Sequence, residues 1–392
     1  DADAGESPVA NPFDAMDALP EGHPYRIVGV DALRDGLSIF DDATGDLYRG
    51  GHTERNALVP TVGGTVKPTA RYPASVAAGL ASDDRSTLLV GFEGDTDVDA
   101  PRIAAHLRAV GVPFDVGGVT VEFPGGLDGT DQRTRLAHAL DTDEDGVRRR
   151  LAERATRALK RDGGDEEFGV TDFGSVDRVG FPAVLGRDRP RQVRDALAEH
   201  LDAAVFELPP APPSLPGIRL RYRLRDALRD AGVAVTTGNP VVDHDADGDR
   251  IATIYADRNG TKTPYEPGAV VLATGGLVGG GIDSERDAAY EPVFDCPVAA
   301  PDDRYDWSED DAFGPHAFAR FGVDVDADGR VLDANGNPLF ANLTAAGGVV
   351  GGYDAAAEKS ASGVSLATGY VAGRTAAEST SQPTPTDATV DR

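Results

Sequence analysis

Cysteine occurs once in the 392 residues, as Cys296, and methionine and tryptophan are also single. One thiol excludes an intramolecular disulfide, and it excludes an iron–sulfur cluster or zinc centre built from the chain's own thiolates. On its own Cys296 reads as a small buried hydrophobe. Lysine is nearly as scarce: of the 38 basic residues only Lys67, Lys160, Lys262 and Lys359 are lysines, leaving 34 arginines. No apolar run approaches the roughly 18 residues that a membrane span needs, so a soluble chain is expected. The seven histidines (His23, His52, His106, His138, His200, His244, His316) show neither H-x-x-x-H nor H-E-x-x-H spacing, and G-x-S-x-G is absent. Zincin and seryl-hydrolase chemistry therefore have no motif, and no metal is expected. G-x-G-x-x-G, the usual opening of a dinucleotide-binding domain, is missing too.

Acidic charge, by contrast, is abundant: 66 Asp and Glu against 38 Lys and Arg give a formal net charge of −28. An Asp-rich, lysine-poor surface resembles that of proteins from salt-loving archaea, where concentrated cations screen self-repulsion. The charge reads as an adaptation to solvent ahead of an acidic interaction surface. It argues against a nucleic-acid partner, which needs a basic face.

Residues 1–45 are rich in Pro and Asp with one short apolar element, Arg26 to Val30, and read as a connector. A buried strand is expected at Thr87–Phe92, then a helix carrying Ile103, Leu107 and Val110, then a strand at Val119, Val121 and Phe123: a β–α–β unit. From Asp131 to Arg161 the pattern is helical throughout. The Pro-rich run Leu208–Pro216 forbids a regular helix and marks a domain boundary. An amphipathic, Arg-rich helix follows at Arg219–Ala231, ended by Gly232. Its arginines read as a solvated face ahead of a docking surface. Short strands are expected at Val233–Thr237, Pro240–Val242, Ile251–Tyr255 and Thr261–Tyr265, delivering the chain to Ala269–Ala273, which is apolar on both faces and so expected at the centre of a parallel sheet. Three Asp-x-Asp-x-Asp-Gly stretches, starting at Asp141, Asp243 and Asp324, mimic the first half of a calcium loop. Ala152, Ile254 and Asn335 stand where the closing Glu belongs, so all three fail the test.

Chemistry is signalled by two glycine-rich stretches. The first, "VVLATGGLVGGG", runs a buried strand into Thr274, Gly275 and Gly276. The second, "NLTAAGGVVGGYDAAAEKSASGVSLATGYVAGRTAAE", pairs Gly347 with Gly348 and Gly351 with Gly352, then opens a helix of small residues at Ser362, Gly363, Val364 and Ser365. Glycines let backbone approach a ligand closely, and a helix N-terminus offers N–H groups and a positive dipole end. A flavin needs such donors where negative charge gathers on reduction.

In this order the two stretches resemble the second half of the two-dinucleotide-binding-domain flavoproteins, which include fumarate reductases and glycerol-3-phosphate dehydrogenases. "NALVPTVGGTVKPTARYP" (Asn56 to Pro73), "VGFPAVLG" (Val179 to Gly186) and "FELPPAPPSLPGIRL" (Phe206 to Leu220) are similar to the B subunits of anaerobic glycerol-3-phosphate dehydrogenases. The resemblance implies an α/β, FAD/NAD(P)-binding Rossmann-like flavoprotein fold lacking its first β–α–β unit, with an inserted α+β domain. It divides the chain into a connector and remnant of the flavin domain (1–45), an inserted cap or substrate domain (46–213), the middle of the flavin domain with its meander (214–292), a short insertion (293–334), the C-terminal flavin part (335–378) and a disordered tail (379–392). Since family members open with G-x-G-x-x-G, it implies a chain that starts downstream of that element.

Functionally the resemblance implies a flavin-containing subunit, with FMN or FAD, of a complex that oxidises sn-glycerol 3-phosphate to dihydroxyacetone phosphate and passes electrons to quinone. The implied partners are the catalytic A subunit and the iron–sulfur C subunit, and the implied place is cytoplasmic, at the inner face of the cell membrane through the complex. Lys67 and Arg71 are the candidates for holding the substrate phosphate, and no histidine is nominated as the base. A non-catalytic electron relay or scaffold, or a fumarate-reductase-type flavoenzyme, are the alternatives.

Overall fold

A computed structural model of the protein describes residues 9–162, 176–209, 213–312 and 314–381. The expected tail from residue 382 on, and residues 210–212 of the Pro-rich run, lie outside the described residues. The chain packs as two compact units: one holds Phe13–Phe40 and the chain from Ala234 on, the other Asp41–Val233 with the stretch ending at Pro12.

Where a connector was expected stands helix α1, Pro24–Thr44, which belongs to the first unit as far as Phe40. Its Leu33 and Leu37 are buried in a small core with Phe13, Met16 and Ala367. Gly29, at φ 85° and ψ 162°, breaks the helical geometry and with it the apolar periodicity that would have announced the helix.

In the second unit two short antiparallel pairs come first, β1 (Tyr48–Arg49) with β4 (Tyr72–Pro73) and β2 (Ala57–Pro60) with β3 (Val66–Thr69). The remainder is β5 (Thr87–Phe92), α2 (Ala100–Ala109), β6 (Val116–Val121), α3 (Arg133–Thr142), α4 (Val147–Asp162), β7 (Arg178–Pro182), α5 (Pro190–Leu201), β8 (Ala204–Leu208) and α6 (Leu215–Asp230). Strands β6-β5-β7-β8 form one sheet in that order, every pair parallel. The inserted domain expected as α+β is thus wound around a parallel sheet, with antiparallel pairing among the described residues confined to the two short pairs.

Parallel strands need crossovers, and here the crossovers cover both faces. Ile103, Ala104 and Leu107 of α2 pack on Leu89 and Phe206, while Leu140, Leu151 and Leu197 of α3, α4 and α5 pack on Val90, Phe92 and Phe181. Each fully buried Phe or Leu contributes roughly 1.5–3 kcal/mol relative to exposure. The single helix expected from Asp131 to Arg161 is two, because Asp143 adopts a left-handed conformation (φ 53°) that ends α3. Helix α6, expected with the flavin domain, belongs to this unit. Its Arg219 is buried against Glu207 of β8.

Back in the first unit, β9 (Val241–Asp247), β10 (Arg250–Arg258) and β11 (Thr261–Tyr265) form an antiparallel meander with β10 in the middle. Then follow β12 (Val270–Leu272), the small pair β13 (Asp283–Ser284) and β14 (Ala289–Tyr290), β15 (Leu343–Ala345), the single-turn α7 (Ala355–Glu358) and α8 (Ala361–Ser381). Val233–Thr237, expected as a strand, is exposed coil. Among the described residues β12 pairs with β15 alone, so it is not central, and Val271 is left 41% exposed. Apolar residues on both faces read as burial on both, but a strand with one neighbour keeps one edge open.

Candidate functional site

The parallel pair β12 and β15 is the frame of the site. Val270 N–H donates to Asn342 O at 2.8 Å, and Ala346 N–H donates to Leu272 O at 2.9 Å, so both strands end in step. Asn342, buried, ties β10 to this frame: its Oδ1 accepts from Ile251 N–H at 2.9 Å and its Nδ2 donates to Ile251 O at 3.0 Å. Beyond the carboxyl ends of parallel strands lies the usual place for a ligand in an α/β sheet.

Both glycine turns expected from the sequence leave the frame at that edge, and they meet. Gly275 (φ 86°) and Gly347 (φ 74°) take conformations that favour glycine. A Cβ on Gly276 would stand 2.7 Å from Gly348 O, so the two turns touch backbone to backbone with no room for a side chain. Beneath them, buried Thr368 of α8 accepts from Gly347 N–H at 2.9 Å and donates to Val364 O at 2.6 Å. The turn after β15 is thereby fixed to the first turns of α8, where Ser362 and Ser365 are exposed and Val364 is buried. The structure thus brings Gly275, Gly276, Gly347, Gly348 and Val364 into one locality. Bare backbone at the strand ends, with exposed serines on the opening turn of a helix, suits a flavin: close approach plus N–H donors for its electron-rich edge.

Other expected glycines serve the protein's own packing. A Cβ on Gly351 would crowd Gly322, one on Gly352 would strike Gly22 O, and one on Gly363 would strike the Tyr25 hydroxyl. These last two mark what the sequence reading missed, a cluster around His23. The His23 ring is 1% exposed and Nε2 lies 3.0 Å from Glu358 Oε2. Its Nδ1 accepts from Tyr25 N–H at 3.1 Å. Burial would push the Glu358 carboxyl up, but His23, Ser360 and the Asp354 N–H outweigh it and hold it below the ordinary carboxylate value. Burial, reinforced by Tyr353 and Glu358, pushes the Tyr25 phenol up, so it stays protonated. Pro24 at the first turn of α1 was a local signal for a helix start just after His23. Nothing local marked Glu358 as its partner.

Lys67 and Arg71 lie in the other unit. Arg71 makes a two-pronged pair with Asp41, Nε at 2.7 Å and Nη2 at 2.8 Å, while Lys67 is exposed on β3. The Arg-rich helix α6 divides its charge: Arg219 is sealed inside, Arg223 donates to Ala43 O at 3.1 Å, and Arg229 pairs with Asp226. Of the calcium-like stretches, the first is used by the chain itself, Asp141 accepting from the N–H groups of Arg187, Asp188 and Arg189 at the start of α5.

Comparison with known proteins bears directly on this frame. The family described as "FAD binding domain" matches residues 1–364. A Halobacterium salinarum protein, named as the B subunit of a probable anaerobic glycerol-3-phosphate dehydrogenase, is 57% identical over 380 residues, 96% of this chain and 86% of its own length. The chain belongs to this family of FAD-binding B subunits. The anaerobic glycerol-3-phosphate dehydrogenase B subunit of Yersinia pseudotuberculosis is 28% identical over 373 residues (91% of this chain, 82% of that one), and the protein of the same name from Pectobacterium carotovorum is 28% identical over 369 (92% and 83%). No solved structure matches. The fold is that of a FAD-binding Rossmann-like flavoprotein, the cofactor class is flavin, and membership of a subunit family implies partner subunits. Among the described residues no helix is long and apolar enough to cross a membrane.

Proposed function

We propose that this chain is the flavin-carrying B subunit of a complex that oxidises sn-glycerol 3-phosphate to dihydroxyacetone phosphate. Electrons leave through an iron–sulfur C subunit to quinone, with the A subunit as the oxidising partner and the assembly held at the cytoplasmic face of the membrane. The observation that carries the reading is the meeting of the Gly275-Gly276 and Gly347-Gly348 turns at the carboxyl ends of β12 and β15, in a member of this family.

Thr274 and these four glycines would hold the flavin by backbone, and Ser362, Gly363, Val364 and Ser365 would present the opening turn of α8 to it. Gly351 and Gly352 would follow these turns in the cofactor segment. When bound, FAD or FMN supplies a two-electron acceptor. Fixed N–H groups around it stabilise negative charge without reorganising. The single cysteine fits a division of labour in which another chain holds the clusters. Of the two candidates for a substrate phosphate, Lys67 is exposed and Arg71 is engaged by Asp41.

The test is the absorbance spectrum of the protein, purified in concentrated KCl and titrated with FAD and with FMN. Bound flavin bleached by glycerol 3-phosphate supports a catalytic role for this chain. Bound flavin that stays oxidised until the A subunit is added makes it a relay, and no binding removes the flavin assignment of these turns.

A further inference from the structure

We propose that His23 is a positioning residue for the flavin, acting through Glu358 on the loop that leads into α8. The inference rests on the flavin reading of that segment. It starts from the loop itself. Helix α7, Ala355–Glu358, is a single turn with no buried residue, so apolar packing does not fix where it sits. Its start is capped by Asp354, which accepts from Ala356 and Ala357 N–H at 3.0 and 2.9 Å, and its end is a left-handed Lys359 (φ 60°). Its hold on the rest of the unit comes from side-chain ties, and two of them reach across the chain: His23 to Glu358, and the Tyr25 hydroxyl, which donates to Ser360 O at 3.4 Å just beyond the turn.

The hydrogen bonding of His23 defines its role. Because Nδ1 accepts a backbone N–H, the proton of the neutral ring sits on Nε2 and points at Glu358. Glu358 takes a second donor on the same oxygen, Ser360 Oγ at 2.8 Å, while its other oxygen accepts from Asp354 N–H at 3.0 Å. One carboxylate therefore gathers the two ends of the loop, and His23 pins that carboxylate from outside. Both nitrogens of His23 are engaged, so it is a latch and not a base.

The surroundings close the latch. His23 stacks on Tyr25 with ring centres 5.2 Å apart and meets the edge of Tyr353 at 6.0 Å. Gly22 O lies against Gly352 and the Tyr25 hydroxyl against Gly363, the points where the chain enters and leaves the loop. Residues 22–25 thus sit on the loop from Gly352 to Gly363, which includes the first residues of the helix turn assigned to the cofactor.

Two measurements on the whole chain separate the latch from the flavin reading. Hydrogen exchange of the segment 353–366 without flavin should rise about tenfold or more in His23→Ala, as the loss of a buried hydrogen bond to a charged group predicts. His23→Gln, which still offers an Nε2 donor, should restore most of the protection, and Glu358→Gln reads the same contact from the other side if His23→Ala does not fold. Flavin affinity, from fluorescence titration, should fall about tenfold in His23→Ala with a shifted bound-flavin spectrum, and His23→Gln should recover both. Unchanged exchange overturns the latch. Raised exchange with unchanged flavin affinity and spectrum overturns the positioning role. A parent protein that binds no flavin overturns the flavin reading and the positioning role with it, while the exchange result still reports on the latch.

Discussion

Arg219 and Glu207 face each other inside the second unit as a two-pronged pair, Nη1 to Oε2 at 2.6 Å and Nη2 to Oε1 at 2.9 Å. Their side chains are 4% and 1% exposed. Arg219 donates further to Gly186 O, and Glu207 accepts Leu185 N–H at 2.7 Å, so strand β8, the loop after β7 and helix α6 are joined at one point. Removing one partner leaves the other charged and buried. Arg219→Ala is expected to lower unfolding free energy by about 3–5 kcal/mol, read by denaturant titration in concentrated salt. A loss below about 1 kcal/mol would show that the pair is solvated in solution.

Acid should destabilise the protein through three carboxylates. Burial raises Glu207, but Arg219 more than offsets it, and Glu207 sits below its ordinary value. Glu358 is lowered as described above, and Asp83 is lowered to about 2, first by its hydrogen bond with Arg85. A carboxyl whose folded pKa lies below its unfolded one stabilises the fold above the unfolded value and loses that contribution as pH falls through the folded one. Melting temperature at constant KCl should therefore hold above about pH 5 and fall steadily below about pH 4. Glu207→Gln should flatten part of that slope.

Gly363 and Tyr25 offer a paired test of packing. Gly363→Ala places a methyl on the Tyr25 hydroxyl and should cost about 1–3 kcal/mol. Tyr25→Ala removes the obstacle, so the double variant should be more stable than the sum of the two single losses predicts. Strict additivity would mean that the two groups do not touch.

Gly276→Ala addresses the site itself. Its Cβ would sit 2.7 Å from Gly348 O, which is backbone and cannot swing aside. The turns must part, and flavin affinity should drop by about tenfold or more while the second unit, which has its own core, melts as before. Equal affinity would remove the close approach of these turns from the account of binding.

Salt is the remaining lever. With a formal charge of −28, the chain should gain melting temperature as KCl rises from about 0.1 M to 1 M, where screening shortens from about 10 Å to 3 Å. NaCl at equal ionic strength should give a similar gain, if screening is the cause.

Legibility in the sequence followed the range of the interactions. The β5–α2–β6 unit and the glycine turns were readable because each is written in a window of a few residues: continuous apolar runs, period-3.6 apolar positions, Gly at turns. Helix α1 was hidden by Gly29, and α3 and α4 were fused because the left-handed turn at Asp143 is set by backbone geometry that an Asp only permits. β12 misled because an apolar strand reports what it could bury, not how many neighbours it has. The His23–Glu358 pair spans 335 positions, and no local pattern encodes a partner that far away.

The order in which these pieces leave the ribosome has its own consequence. The second unit, from Asp41 to Val233, can finish its parallel sheet during synthesis. Helix α1 cannot: Leu33 and Leu37 wait for Ala367, and His23 waits for Glu358, both made more than 300 residues later. Helix α1 therefore stays without this core until α8 has been made. In the interval Leu33 and Leu37 lack the Ala367 side of their core and are open to association with other chains.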